Sequence, residues 1–131
     1  KLYVGESTNV GIVSRIESAM SQIANVGISV QVPTDVRKYL QAHPDTVWPL
    51  LFTSLILVTE LGDSADINLQ LASDDADQYL LMIARSHDYC DEFFSALDKV
   101  QDSYAPLLAN KSGWILVTTD FQSPLDSNHA V

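Results

Sequence analysis

The sequence predicts an α+β domain: a three-stranded antiparallel sheet, with or without a short fourth edge strand, packed on one face by about four helices. Three observations carry this. Apolar residues make up 47% of the 131 and charged residues 18%, the composition of a folded globular chain. The apolar period switches repeatedly between helical spacing and strict alternation. Gly or Pro stands at most of the switches. A chain of this length suits one domain and buries roughly two-thirds of its unfolded surface.

Ser7 and Thr8 are good N-caps for a helix to about Ala24. Val13, Ile16, Met20 and Ile23 form a narrow apolar seam on it, fit to pack on this domain's core or on the same helix of a second subunit. Gly27 stops the helix. Ile28 to Val32 alternates as a short extended segment ending at Pro33. Thr34 caps a short helix, Asp35 to Ala42, which Pro44 terminates. Asp45 caps the next, which tolerates Pro49 in its first turn and ends at Gly62. Its many apolar faces make it the central core helix; a strand over 54–58 is the alternative.

Ile67, Leu69 and Leu71 alternate with polar residues as a half-buried strand. A polar turn over 73–77 leads to a strand from Gln78 to Arg85, antiparallel to the first. Ser86 or Asp88 caps a helix to about Ser103, with Phe93, Phe94, Leu97 and Val100 as its buried stripe. Gly113 opens a last strand, Trp114 to Phe121, placed beside the first hairpin strand. The chain thus divides into an N-terminal amphipathic helix (1–27), an α+β core (28–123) and a polar tail (124–131).

Formal net charge is −10, from seventeen acidic and seven basic residues. Between Glu60 and Asp102 eleven acids face only Arg85 and Lys99, a local charge of −9. Such a field repels phosphate backbones and anionic lipid, so no nucleic acid or membrane partner is expected. The run from Val47 to Leu61 is too short and too interrupted to span a bilayer. The start, Lys1 to Glu6, shows no signal-peptide pattern, and it lacks an initiator Met. Cys90 stands alone, which excludes an intrachain disulfide and fits a reducing, cytoplasmic setting.

No catalytic, cofactor or metal residue is assigned. His87, Asp88, Cys90 and Asp91 hold ligand chemistry, but a zinc site needs ligands from a second segment, and His43 and His129 are the only other histidines. Asp74, Asp75 and Asp77 lack the glycine of a calcium loop. Ser112-Gly113-Trp114 is not a nucleophile elbow. His43-Pro44-Asp45 joins two helices.

The segment Tyr39-Leu40-Gln41-Ala42-His43-Pro44-Asp45, the acidic hairpin with Tyr79-Leu80-Leu81, and the closing run Gly113-Trp114-Ile115-Leu116-Val117-Thr118-Thr119-Asp120-Phe121 together resemble a family of small uncharacterised bacterial proteins. The likeness covers residues 33–123. It implies a bacterial, intracellular protein and no particular activity.

The function expected is a non-enzymatic protein-binding or regulatory module. Its contact surface is either the acidic turn Asp74, Asp75 and Asp77, facing a basic partner, or the seam Val13, Ile16, Met20 and Ile23. The seam and an uncovered sheet edge also lead to a homodimer expectation. The alternatives are a small hydrolase-like enzyme or a small-molecule binding domain with a carboxylate site.

Overall fold

The computed structural model describes residues 2–75 and 77–124, with side chains from residue 11 onward. Chain order is α1 (Leu2–Asn25), β1 (Ser29–Val30), α2 (Pro33–Ala42), α3 (Val47–Leu61), β2 (Ala65–Asp74), β3 (Asp77–Ser86), α4 (Asp91–Tyr104) and β4 (Ile115–Thr118). Short 3-10 turns lie at Pro44–Thr46, Gly62–Ser64 and Ala105–Leu108. The α+β class and the four helices match the expectation.

The sheet differs. It has four strands in the order β1-β2-β3-β4, with β1 parallel to β2, β2 antiparallel to β3 and β3 parallel to β4. The edge of β2 expected for the last strand is occupied: Ser29 pairs with Asn68 and Val30 with Leu69. The last strand therefore joins β3, and its crossover helix α4 makes it parallel. β3, apolar on both sides, is an inner strand of the sheet.

Strand parity sorts the sheet into two faces. Leu69, Met82 and Val117, adjacent in register, are fully buried, as are Leu80 and Ile115. They share a hydrophobic cluster with Ile16, Ile23, Leu40, Leu50, Leu57 and Val100 of the four helices. Full burial of each such aliphatic side chain contributes about 1.5–3 kcal/mol. The opposite face carries Asn68, Gln70, Tyr79, Leu81, Leu116 and Thr118, all half-buried.

Several boundaries move. α1 begins at Leu2, so Ser7 and Thr8 lie inside it. α2 begins at Pro33, the first-turn position that tolerates a missing N–H, and its N-cap is Val32 in left-handed conformation, φ 44. Asp45 does not cap α3: the N-cap is Thr46, with no side-chain bond. Cys90, not Ser86 or Asp88, precedes α4, whose first turn holds Asp91 and Glu92 against the positive helix end. The hairpin turn is shorter than expected, because Asp74 pairs directly with Asp77. β4 stops at Thr118. The run 44–64 is long and apolar enough to cross a bilayer by length and composition. In this fold it carries the core helix α3, with Leu50, Thr53, Ser54 and Leu57 fully buried. Of the tail 124–131, only Pro124 falls among the described residues.

Most of the seam and the β4 edge at Val117 are taken up within the chain. Ile16, Met20 and Ile23 are buried in its own core, and only Val13, 47% exposed, faces outward. The outer edge of β4 is closed by α4. The Val117 N–H donates to the Tyr104 hydroxyl at 3.1 Å, and the Val117 carbonyl accepts from Gln101 Nε2 at 2.9 Å. Burial pushes the Tyr104 phenol above its ordinary pKa, against the bond from Val117.

Candidate functional site

The two terminal motifs of the 33–123 resemblance meet in space. The Tyr39 hydroxyl accepts from the Trp114 N–H at 3.0 Å and donates to the Gln78 carbonyl at 3.3 Å. Asp45 accepts from the Ser112 N–H at 2.9 Å and from the Ser112 hydroxyl at 2.8 Å. His43 Nδ1 lies 2.9 Å from the same hydroxyl. A Cβ at Gly113 would lie 2.3 Å from Thr46 Oγ1, so a glycine is needed there for close approach.

This constellation holds Ser, His and Asp in the wrong order for nucleophilic catalysis. A triad places the imidazole between hydroxyl and carboxylate. Here the hydroxyl sits between the other two. The bond from the Ser112 N–H, opposed by burial and helped by the Ser112 hydroxyl, lowers the Asp45 pKa, so this carboxyl only accepts. The one hydroxyl proton of Ser112 therefore points to Asp45, and His43 Nδ1 must carry the proton shared with Ser112. The imidazole is therefore not placed to take the serine's proton. The trio latches the end of α2 to the loop before β4.

Beside this latch lies a groove of about 950 Å³ at the hairpin end of the sheet. Asp74, Asp75 and Asp77 line it, together with Tyr79, Trp114 and Lys111. All three aspartates are exposed, and Trp114 is 49% exposed. The Asp74–Asp77 register puts both carboxylates on one sheet face, which Tyr79 shares. The Tyr39 hydroxyl holds Trp114 at the rim through its backbone N–H.

No protein family, characterised protein or solved structure matches this chain. Its site is read from geometry alone.

His87, Asp88 and Cys90 border a second groove, of about 400 Å³, with Glu60, Asp63 and Glu92. His87 is exposed and Cys90 half-buried, with its thiol donating to Glu92 Oε1 at 3.5 Å. Among the described residues, no three His, Cys, Asp or Glu side chains converge at metal-ligand spacing. His129 lies outside the described residues. The seam residues Ile16, Met20 and Ile23 are far more buried than a contact surface allows.

Sequence reasoning missed a second anchor at the other end of the sheet. Arg85 Nε and Nη2 donate to Asp120 at 3.0 and 2.6 Å. The bond from Arg85 holds the Asp120 carboxyl below its ordinary pKa, and the same bond raises that of Arg85. The Tyr89 hydroxyl donates to the Gln122 carbonyl and accepts from Thr119 Oγ1 at 3.2 Å. Phe121 rests on Tyr89 and Phe94 with ring centroids 5.7 and 5.8 Å away. The available signal was Arg85 itself, one of two bases among eleven acids. Lowered pKa values at Asp45 and Asp120 suit fixed hydrogen-bond acceptors, not proton donors working near neutrality.

Proposed function

We propose that this chain is a protein-binding module that holds a basic partner at the hairpin end of its sheet. The observation that carries the reading is that the exposed Asp74, Asp75 and Asp77 line the same groove as the half-exposed Trp114 and half-buried Tyr79. Aspartates steer a cationic partner and set its register. A Trp or Tyr face adds attraction for a Lys or Arg head, about 0.5–1 kcal/mol where exposed. Both ring types are enriched at interfaces. The net charge of −10 acts in the same direction at longer range.

The test is a titration with a short lysine-rich peptide, followed by tryptophan emission at low and high salt. Binding should be saturable and weaken as salt rises. Replacing Asp74, Asp75 and Asp77 together by Asn keeps size and turn propensity while removing three charges. The variant should lose most of the affinity and keep its stability, since exposed charges add little to folding. Unchanged affinity at low salt would defeat the reading.

A further inference from the structure

In a chain with seventeen acids and seven bases, a cation without a carboxylate is the unexpected state. Arg37, Arg85 and Lys99 are paired with Glu17, Asp120 and Glu60. Among the described residues, Arg15, Lys38 and Lys111 make no ion pair. Two of these three, Arg15 and Lys111, line one groove of about 430 Å³ between α1 and the start of α3. Its walls are largely apolar, with Ala19 from α1 facing Val47, Trp48 and Leu51. Trp48 is 59% exposed, and among the described residues its only aromatic neighbour is Phe52, with ring centroids 5.6 Å apart. Asp45 also borders the groove; its oxygens accept from Ser112 and the Lys111 charge acts on it, so with Arg15 and Lys111 the groove keeps a net charge of +1.

We propose that this groove docks a segment of a partner protein that carries carboxylates beside an apolar anchor. The charge follows from Arg15 and Lys111, two of the three described cations that make no ion pair. The anchor follows from Ala19, Val47 and Leu51, which offer an apolar side chain a floor, and from Trp48, which offers a flat wall. Two helices flanking an apolar trough match the mode in which a segment is gripped through side chains on one of its faces. A free amphiphile fits less well. Small-ligand sites enclose most of their ligand's surface, whereas this groove is only partly enclosed. The site is distinct from the hairpin groove and opposite to it in charge preference. Lys111 borders both.

The experiment uses the full chain labelled with 5-fluorotryptophan, so that Trp48 and Trp114 give separate fluorine NMR signals. The probe is the peptide acetyl-Glu-Leu-Phe-Glu-Glu-Leu-amide. The Trp48 signal should shift saturably while that of Trp114 stays in place. Arg15→Gln combined with Lys111→Gln should weaken binding about tenfold, the effect of two partly exposed ion pairs. Arg15→Gln alone should weaken it without touching lysine-peptide binding at the hairpin. Both side chains are exposed, so the variants should fold as the parent does. No Trp48 shift, or an equal shift from the same peptide with lysine in place of glutamate, would overturn the proposal. So would a response to decanoate but not to the peptide, which would make the groove an amphiphile site.

Discussion

The Tyr39 hydroxyl and the Trp114 backbone N–H, seventy-five positions apart, are joined by a hydrogen bond of 3.0 Å. The same hydroxyl reaches the Gln78 carbonyl on the start of β3. One phenol thus ties α2, the hairpin and the entry to β4 together, and it lies beneath the groove that Trp114 overhangs.

Tyr39→Phe removes both bonds and keeps the ring. Leaving the partner N–H and carbonyl without this hydroxyl should cost about 1–3 kcal/mol. Urea denaturation measures the loss. Trp114 emission should shift to the red at zero denaturant, because its backbone anchor is gone.

Gly113→Ala should be worse tolerated than its position in a loop suggests. The added Cβ meets Thr46 Oγ1 at 2.3 Å and Cβ at 3.2 Å. Overpacking of this kind costs about 1–3 kcal/mol. Thr46→Ala in the same chain removes the nearer atom and should restore part of the loss, a coupling that a double-mutant cycle reads directly.

Local pattern made much of this fold legible. Alternation at Ile67, Leu69 and Leu71 marked β2, and the apolar rows of α3 and α4 marked the core helices. Long-range pairing was not legible. The alternation from Ile28 to Val32 marked an extended segment, but with only Ser29 and Val30 paired, nothing in the chain revealed that β1 fills the edge of β2. Asp45 stood where a cap belongs, and its partner Ser112 is sixty-seven positions away. The aspartates of the turn were legible as exposed charge. Their groove with Trp114 was not, because it depends on how the loop before β4 docks on His43 and Asp45.

Val32→Asn should stabilise the protein. Val32 has φ 44, a left-handed conformation that a β-branched residue resists. It is also 60% exposed, so little apolar packing is lost. Asn adopts this region readily. A gain of about 1 kcal/mol is expected, visible as a higher midpoint in urea. An unchanged or lower midpoint would mean that the strain is absent or offset by contacts of the valine methyls.

The Arg85–Asp120 pair should give stability that is lost in acid. The Asp120 pKa is lowered from the ordinary 3.8, chiefly by its bond from Arg85. A depressed folded-state pKa gives stability that is present above the unfolded value and lost as pH falls through the folded one. The loss therefore begins near pH 4 and completes below it. Asp120→Asn should be less stable than the parent at pH 7, and the two should converge as pH drops below that range. A difference between them that does not change with pH would mean that charge plays no part in the pairing.

The closed edge of β4 yields the last expectation. Val117 lies in the outermost strand, and its N–H and carbonyl point away from β3. An edge strand with free backbone groups is a template for a second chain. Here Tyr104 supplies an acceptor for the N–H, and Gln101 supplies a donor for the carbonyl. Tyr104→Phe leaves the buried N–H without an acceptor, which should cost about 1–3 kcal/mol. Gln101→Ala uncovers the carbonyl on the exposed side of α4 and should cost less. Combined, the two substitutions restore the pairing capacity of the strand. The double variant should therefore self-associate with rising concentration in light scattering, more than either single variant and more than the parent. If it loses stability yet scatters like the parent, α4 packing alone protects the edge, and the two side chains serve only to satisfy Val117.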